Sequence, residues 1–416
     1  MKSHRLIALL CAAALLLPAA PKVTQPSGPA PKAIGAMPMN GIHYVAPRDE
    51  VVVQTLQSDG KLPLNATTDQ VDKALKDFRT DFSHKSVTWV NPTAQIRALE
   101  REQQTAAGNS INDVVQPVSV EIFTLAVDFK GTDTFTDYPV PDGTDDNGDT
   151  ICTPSTFTKT GPAKGEIPHP GSRDNNTVWY TPEQTADPVF YEDLIFGYTG
   201  AGRVRMDLTD PVDDQPGINL SGITVQDYYD HVAGEGNVTL DGTVQGWVSV
   251  DHSEAYYGAD DCASGNNDQG LEKPVGQLIV DAVAKFQAQH PTYYTDTSAD
   301  AFWKQYDADQ DGVLDTFWII HAGMGQEAGG GSQGDFAIWS HSSDVRYYPD
   351  WPDGIKVYEG DPSTTADDIV VGPYTMQPEN ADVGVFTEEF GHNFFGFPDL
   401  YTQDVQGSIG FWSIME

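Results

Sequence analysis

One stretch near the end of the 416-residue chain, Phe386 to Tyr401, restricts the fold more than any other part of the sequence. It reads FTEEFGHNFFGFPDLY, and its apolar residues repeat with the period of an α-helix that we predict from about Asp382 to Phe394. Glu388 and His392 are four residues apart and therefore point the same way, and Glu389 lies a third of a turn round. The fold must place two carboxylates and an imidazole together on one helix.

These residue types suit a metal ion. The zinc pattern His-Glu-x-x-His uses two histidines as ligands and the intervening glutamate to activate water. Here Glu388 stands where the first histidine would be, and zinc accepts a carboxylate oxygen as well as an imidazole, although the extra negative charge weakens the ion as a Lewis acid. We therefore predict Zn²⁺ ligands at Glu388, His392 and, beyond a turn at Gly396, Asp399, with Glu389 as the catalytic base. An iron or manganese site on Glu389 and His392 is an alternative.

A second acidic pattern, DADQDGVLD from Asp307 to Asp315, is typical of a calcium loop. Ca²⁺ takes six to eight oxygen ligands, and alternating aspartates with a nearby backbone carbonyl supply most of them. Trp318 occupies the position where an EF-hand has its glutamate, so the loop is not an EF-hand. An acidic turn without an ion is the alternative. The predicted Ca²⁺ ligands are Asp307, Asp309, Asp311, Val313 and Asp315.

The charge of the chain excludes some partners and marks a boundary. Lysine and arginine total 23 against 61 aspartates and glutamates, a formal charge of −38, which repels nucleic acid and anionic membranes. Residues 1–110 hold 12 basic and 9 acidic side chains, so nearly all of the negative charge lies in the rest of the chain. We therefore predict a near-neutral leader, residues 1–115, and an acidic domain, residues 116–416.

The leader begins like a signal peptide. Residues 1–20 have a basic start, an apolar run from Leu6 to Leu17 and small residues at Ala19 and Ala20, which indicates export; a membrane anchor is the alternative. No later stretch is apolar for 18 residues, so we expect no membrane span in the mature chain. Residues 21–115 then form a linker and a small, partly helical segment, which we interpret as a pro-segment that docks on and inhibits its own domain. A plain N-terminal subdomain is the other interpretation.

The chain has three cysteines, and their positions fit an exported protein. Cys11 would leave with the signal peptide, so Cys152 and Cys262 remain as an even pair in an oxidising compartment. We predict a disulfide between them, with two separate thiols as the alternative because sequence spacing gives no distance.

The acidic domain contains recognisable strands and helices. Val118 to Phe129 is predicted to be its first strand, and Val238 to Val250 a hairpin that turns at Asp241-Gly242. Leu271 to Gln289 has one apolar stripe and is predicted to be a core helix. The glycine-rich segment from His321 to His341 connects two strands and lacks the lysine of a phosphate loop, and its two histidines are interpreted as structural residues.

The order of several motifs resembles the immune inhibitor A family of secreted bacterial metalloendopeptidases. The matching segments are DYYDHVAGEGNVTLDGTVQGW, AYYG, YDADQDGVLDTFWIIHAG, AIWSH, EFGHNFFGFPDLY and GFWSIM, in that order. The resemblance implies Glu389 as general base, His392 as a zinc histidine and Asp399 as third ligand. This sequence departs from the family pattern at two places. One is Glu388. The other is Phe394-Phe395, which moves Gly396 one residue further from His392. Met415 near the chain end suits a hydrophobic turn beneath the site.

The sequence thus predicts an α+β fold: a metzincin-like zinc-protease domain with a twisted mixed sheet and an active-site helix, truncated at its C-terminal end. The predicted function is a secreted zinc-dependent metalloendopeptidase that hydrolyses peptide bonds in protein or peptide substrates and also binds Ca²⁺. The alternative is a catalytically inactive, protease-like calcium-binding module for adhesion or protein binding.

Overall fold

A computed structural model describes residues 53, 57, 61–67, 70, 71, 73, 74, 117–144, 150–170, 178–198, 202–209, 216–259, 262, 275–295, 297–348, 350–360, 367–397, 414 and 415. The predicted signal peptide, the linker, most of the pro-segment, Asp399 and Tyr401 lie outside these ranges. No helix among the described residues is long and apolar enough to cross a membrane.

The centre of the fold is a five-stranded mixed sheet with strand order β6-β1-β7-β11-β8. The four neighbouring strands β6, β1, β7 and β11 run parallel to one another. Strand β8 pairs antiparallel with β11 at one edge. The described strands are β1 (Val118–Phe129), β2 (Thr132–Thr144), β3 (Thr150–Thr160), β4 (Val204–Thr209), β5 (Pro216–Asn219), β6 (Val238–Val250), β7 (Phe317–His321), β8 (His341–Asp344), β9 (Ile355–Tyr358), β10 (Ile369–Val371) and β11 (Pro373–Pro378). The pairs β2–β3, β4–β5 and β9–β10 form separate two-stranded sheets. The domain is therefore α+β, as predicted.

Helices cover both faces of the central sheet. They are α1 (Pro182–Thr185), α2 (Pro188–Phe196), α3 (Val225–Ala233), α4 (Glu254–Gly258), α5 (Gly276–Gln289), α6 (Thr292–Thr295), α7 (Thr297–Lys304) and α8 (Val383–Phe395). Trp318 of β7 packs against Phe386 and Phe390 of α8, whereas its neighbour Phe317 packs against Phe123, which contacts Phe286 of α5. Successive side chains of a strand point to opposite faces, so α8 and α5 lie on opposite sides of the sheet.

The predicted hairpin at Val238 to Val250 is wrong. These residues form one continuous strand, β6, which pairs parallel with β1. Gly242 has a positive φ of 149°, and a Cβ there would lie 2.1 Å from the carbonyl oxygen of Ile122. The glycine lets two backbones approach closely; it does not mark a turn.

Other predictions agree with the structure. Val118–Phe129 is a strand, buried along most of its length, as expected for a parallel strand covered on both faces. In the core helix α5, the described part of the predicted apolar stripe is buried. The segment between His321 and His341 joins two strands, β7 and β8, as predicted.

Candidate metal centre

The site helix α8 begins and ends with strong local signals. Asp382 is its N-cap and accepts a hydrogen bond from the Val383 N–H at 2.9 Å. At the other end Gly396 adopts φ 64°, its N–H donates to the His392 carbonyl, and the Phe397 N–H donates to the Gly391 carbonyl, each at 3.1 Å. The bond from Gly396 to His392 spans four residues and is the bond of an αL cap. Val383–Phe395 is α-helical throughout, without a helix bulge.

Aromatic packing holds α8 against the sheet and against α3. Phe386 and Phe390 are fully buried. The ring of Tyr229 in α3 lies 5.3 Å from that of Phe390, and its hydroxyl donates to the Thr387 carbonyl at 2.9 Å. Asn393 donates from Nδ2 to the Tyr374 carbonyl of β11 at 3.3 Å. The face of α8 that carries the polar site is thereby fixed.

Glu388, Glu389 and His392 all lie on α8, and their role as a metal site stays a prediction. Glu389 is buried, 4% exposed, whereas Glu388 and His392 are partly exposed. His392 Nδ1 lies 2.7 Å from the Phe397 carbonyl oxygen. A carbonyl oxygen can only accept a hydrogen bond, so Nδ1 carries the proton and Nε2 carries the lone pair. Metal-bound histidines are commonly oriented by such a bond.

Met415 lies next to the site helix. It is buried, and a Cβ built on Gly391 would lie 3.0 Å from its sulfur. Gly391 immediately precedes His392, so the absence of a side chain there is what lets Met415 approach the helix at the level of the histidine. Met415 thus packs on α8, and its role in a hydrophobic turn beneath a metal site stays a prediction.

The acidic loop also brings carboxylates together. One ligand oxygen from each of Asp307, Asp309 and Asp311 lies within 4.8 Å of the others, with Asp307 buried and the other two exposed. Backbone N–H groups of the loop point inward: Gly312 donates to Asp307 Oδ2 at 3.0 Å and Val313 donates to Asp311 Oδ1 at 2.8 Å. Burial raises the pKa of both Asp307 and Asp311, so a cation would favour their charged forms.

The other two predicted ligands have different surroundings. Asp315 is outside that group of three, and its Oδ2 accepts a hydrogen bond from the Ala308 N–H at 3.0 Å. Val313 forms a parallel β-bridge with Val370. The Leu314 N–H donates to the Val370 carbonyl, and the Val370 N–H donates to the Gly312 carbonyl, each at 2.9 Å. The loop is therefore braced on β10.

The histidines at the two ends of the glycine-rich segment have the structural surroundings that we predicted. His341 is buried, its Nδ1 donates to the Trp339 carbonyl at 2.7 Å, and its Nε2 lies 3.1 Å from the Tyr374 hydroxyl. His321 is fully buried with Nδ1 3.1 Å from the Ala322 carbonyl. Burial lowers the pKa of His341 to about 4 and that of His321 to about 3, so both are neutral near pH 7.

Sequence reasoning missed two buried carboxylates. Glu379 accepts hydrogen bonds from Gly165, Thr185 and Gly323, at 2.8, 2.5 and 3.2 Å, and holds the turn that leads into α8. Glu254 is fully buried and accepts from the Ile338 N–H at 3.0 Å. Burial raises the pKa of both. Asp251 lies three residues before Glu254 and Asp382 three residues after Glu379, but neither spacing matches a known site pattern, so the sequence did not single these glutamates out.

Cys152 and Cys262 form a disulfide in the structure. Their Sγ atoms are 2.11 Å apart and their Cα atoms 5.9 Å apart. The bond joins β3 to the segment that follows α4.

A helix with paired glutamates and a histidine, placed against a mixed sheet, is an arrangement that a metallopeptidase can use. A family model described as the immune inhibitor A peptidase M6 catalytic domain matches residues 173–416, more than half of the chain. The chain belongs to this family.

Two curated relatives are similar over part of their length. Immune inhibitor A of Bacillus thuringiensis subsp. alesti is 38% identical over 205 residues, which cover 46% of this chain and 28% of that protein. Pre-pro-metalloprotease PrtV of Vibrio cholerae serotype O1 is 30% identical over 239 residues, 55% of this chain and 23% of the relative. The matched region thus spans about a quarter of each relative.

Proposed function

We propose that this chain is a secreted, zinc-dependent metalloendopeptidase that hydrolyses peptide bonds in proteins. The observation that carries the proposal is the presentation of His392: its Nδ1–H is held by the Phe397 carbonyl beside Glu388 and Glu389, in a chain of a metallopeptidase family. This bond is the type of support that a zinc-binding histidine receives.

The residues present fit zinc. His392 supplies an imidazole nitrogen and Glu388 a carboxylate oxygen one helical turn away, and both donor types occur in zinc sites. Asp399 is proposed as the third ligand. When bound, zinc supplies a Lewis acid that polarises the peptide carbonyl and lowers the pKa of water.

The remaining chemistry falls to Glu389. Its buried carboxylate takes a proton from the attacking water and delivers it to the leaving amine nitrogen. A buried base is shielded from bulk water, which favours proton transfer to the substrate. Glu388 and Glu389 are adjacent, so a cation between the substrate and the helix also reduces their mutual repulsion.

We further propose that the acidic loop binds Ca²⁺. Three clustered carboxylates with backbone support near Val313 fit a hard cation that prefers oxygen. A calcium ion there would stabilise the segment that leads into β7, at the centre of the sheet.

The wider organisation follows from the same family. The antiparallel edge strand β8, the helix after β11 and the position of Met415 support a metzincin-like domain. Residues 1–20 are proposed as the signal peptide and residues 21–115 as a linker and inhibitory pro-segment, in line with the name of the Vibrio relative, pre-pro-metalloprotease.

A calcium-binding module without peptidase activity is the second candidate. The observation that favours it is that Asp307, Asp309 and Asp311 are clustered in the acidic loop, while Glu388 stands in place of a neutral zinc ligand. Such a protein would bind calcium and no zinc.

Metal content and proteolysis of the purified chain decide between the two. We expect about one zinc per chain and chelator-sensitive cleavage of an unfolded protein substrate. Glu389→Gln should keep the zinc and lose roughly 10²-fold or more in activity, while His392→Ala should lose the zinc. Calcium without zinc in the wild type would reject the peptidase proposal.

A further inference from the structure

The amino-terminal end of α8 is held by a carboxylate that lies near two arginines. Asp382 Oδ1 accepts the helix-starting hydrogen bond from Val383. Arg203 Nη1 lies 3.9 Å from that oxygen, and Arg205 Nη1 lies 3.6 Å from Asp382 Oδ2. Two cationic side chains therefore lie close to the cap of the site helix.

Arg203 is completely buried and links several parts of the domain. Its Nε donates to Asp193 of α2 at 3.2 Å, and its Nη2 donates to the carbonyls of Leu220, at 2.9 Å, and Ile223, both just before α3. Its Nη1 is buried and makes no hydrogen bond among the described residues. The Asp382 carboxylate is the anion that this nitrogen approaches.

Arg205 is held independently of Asp382. It lies in β4 and forms a two-pronged ion pair with Asp207, with an Nη2 to Oδ2 distance of 2.9 Å. Asp207 in turn accepts the Trp179 N–H at 3.0 Å. A guanidinium fixed in this way keeps its charge at one place beside Asp382.

A helix does not need these charges in order to begin. An aspartate, asparagine or serine cap is enough. Burying a guanidinium is costly, and such groups are kept in some proteins because they specify one arrangement. Asp382 is six residues before Glu388, so any shift of the cap relative to α2 and β4 displaces the metal donors that follow it.

We infer that Arg203 and Arg205 are positioning residues, which act through Asp382 to fix α8 relative to α2 and β4. The effect on the metal centre rests on the proposed function, whereas the effect on α8 rests on geometry alone. Neither arginine is expected to touch substrate.

Asp382→Asn in the full chain tests this inference, since asparagine keeps the cap and removes the charge. Hydrogen exchange, followed on peptides from α8 and from α5, and zinc affinity, measured by competition with a chromophoric chelator, are the two readouts. We expect roughly tenfold faster exchange in α8 alone and roughly tenfold weaker zinc binding. In the active enzyme kcat should fall while KM stays unchanged.

Asp344→Asn is the matched control. Asp344 also caps a turn, accepts from Arg346 N at 2.9 Å and pairs with its guanidinium, but it lies at the opposite end of β11 from Asp382. It should leave exchange in α8 and zinc affinity unchanged. Unchanged exchange in α8 of Asp382→Asn, or equal acceleration in α8 and α5, would overturn the inference.

Arg205→Gln supplies the coupling test. Alone, Arg205→Gln should speed hydrogen exchange in α8 and weaken zinc binding, as Asp382→Asn does. Combined with Asp382→Asn, it should cause no further change in either quantity. Additive effects would mean that Arg205 acts through Asp207 instead and would reject its role. A wild type that binds no zinc would reject the proposed function only, because exchange in α8 still decides the positioning.

Discussion

Glu388 is the residue at which this chain differs most from the zinc pattern that its helix otherwise preserves. A carboxylate and an imidazole both bind zinc, but a carboxylate cancels part of the ion's charge and so reduces its effect on a bound carbonyl. The neighbouring Glu389 is buried and places a second carboxyl group in the same turn. With zinc bound as proposed, the consequence would be a weaker electrophile, with the rest of the helix unchanged.

We therefore expect Glu388→His to raise zinc affinity and kcat/KM, each by roughly tenfold, because a neutral ligand leaves more positive charge on the ion. Competition with a chelator and steady-state proteolysis measure the two quantities. Glu388→Gln is the control: it removes the charge and is a poor zinc ligand, so zinc affinity should fall. If neither change alters zinc affinity, Glu388 is not a ligand.

At the scale of elements, the end of α8 decides how His392 is oriented. The αL cap at Gly396 sets the Phe397 carbonyl against His392 Nδ1. The cap depends on a left-handed residue, which glycine adopts without strain. The helix terminus and the proposed metal ligand His392 are therefore one structural unit.

Gly396→Ala should destabilise the fold by about 1 kcal/mol, because a Cβ disfavours φ 64°. It should also weaken zinc binding severalfold by moving the Phe397 carbonyl. Chemical denaturation and zinc competition measure the two effects.

Gly222→Ala provides the comparison. Gly222 has φ 82° and a Cβ there would meet nothing within 4 Å, so the conformational cost is similar and no packing is lost. It should reduce stability by a similar amount and leave zinc affinity unchanged. Equal loss of zinc affinity in the two variants would contradict a specific role for the cap.

At the scale of the whole molecule, buried ionisable groups of both kinds couple stability to pH. His321 and His341 have folded pKa values of about 3 and about 4, below the value near 6.5 for an exposed histidine. Their contribution to stability is present above pH 6.5 and is lost as pH falls, because the unfolded chain binds the protons. Glu254 and Glu379 have raised pKa values, so their contribution is lost as pH rises above about 4.5.

His341→Gln separates these effects. In the wild type, each buried histidine should lower the free energy of unfolding by about 1.4 kcal/mol for every unit by which the pH falls from 6.5 to 4. In the variant, the free energy of unfolding should depend less steeply on pH in this range, because one of the two histidines no longer contributes to it. Denaturant titrations at several pH values measure the slope, and identical slopes in both proteins would show that His341 does not titrate on unfolding.

Local signals let the sequence predict part of this molecule correctly. The site helix was found because its period and the turn at Gly396 lie within one short segment. Asp241-Gly242 has an equally local turn signal and was misread, since the strand that pairs with it, β1, is more than a hundred residues away in sequence.

The sequence by itself thus determined the site helix, the acidic loop and the core helix α5, because each depends on residues a few positions apart. Only the tertiary structure decided that β6 runs parallel to β1, that Met415 packs on Gly391 and that Arg203 approaches Asp382. These contacts join distant segments, and the packing of the whole core selects them. No local pattern of charge or hydrophobicity distinguishes the partner chosen from the many that were available.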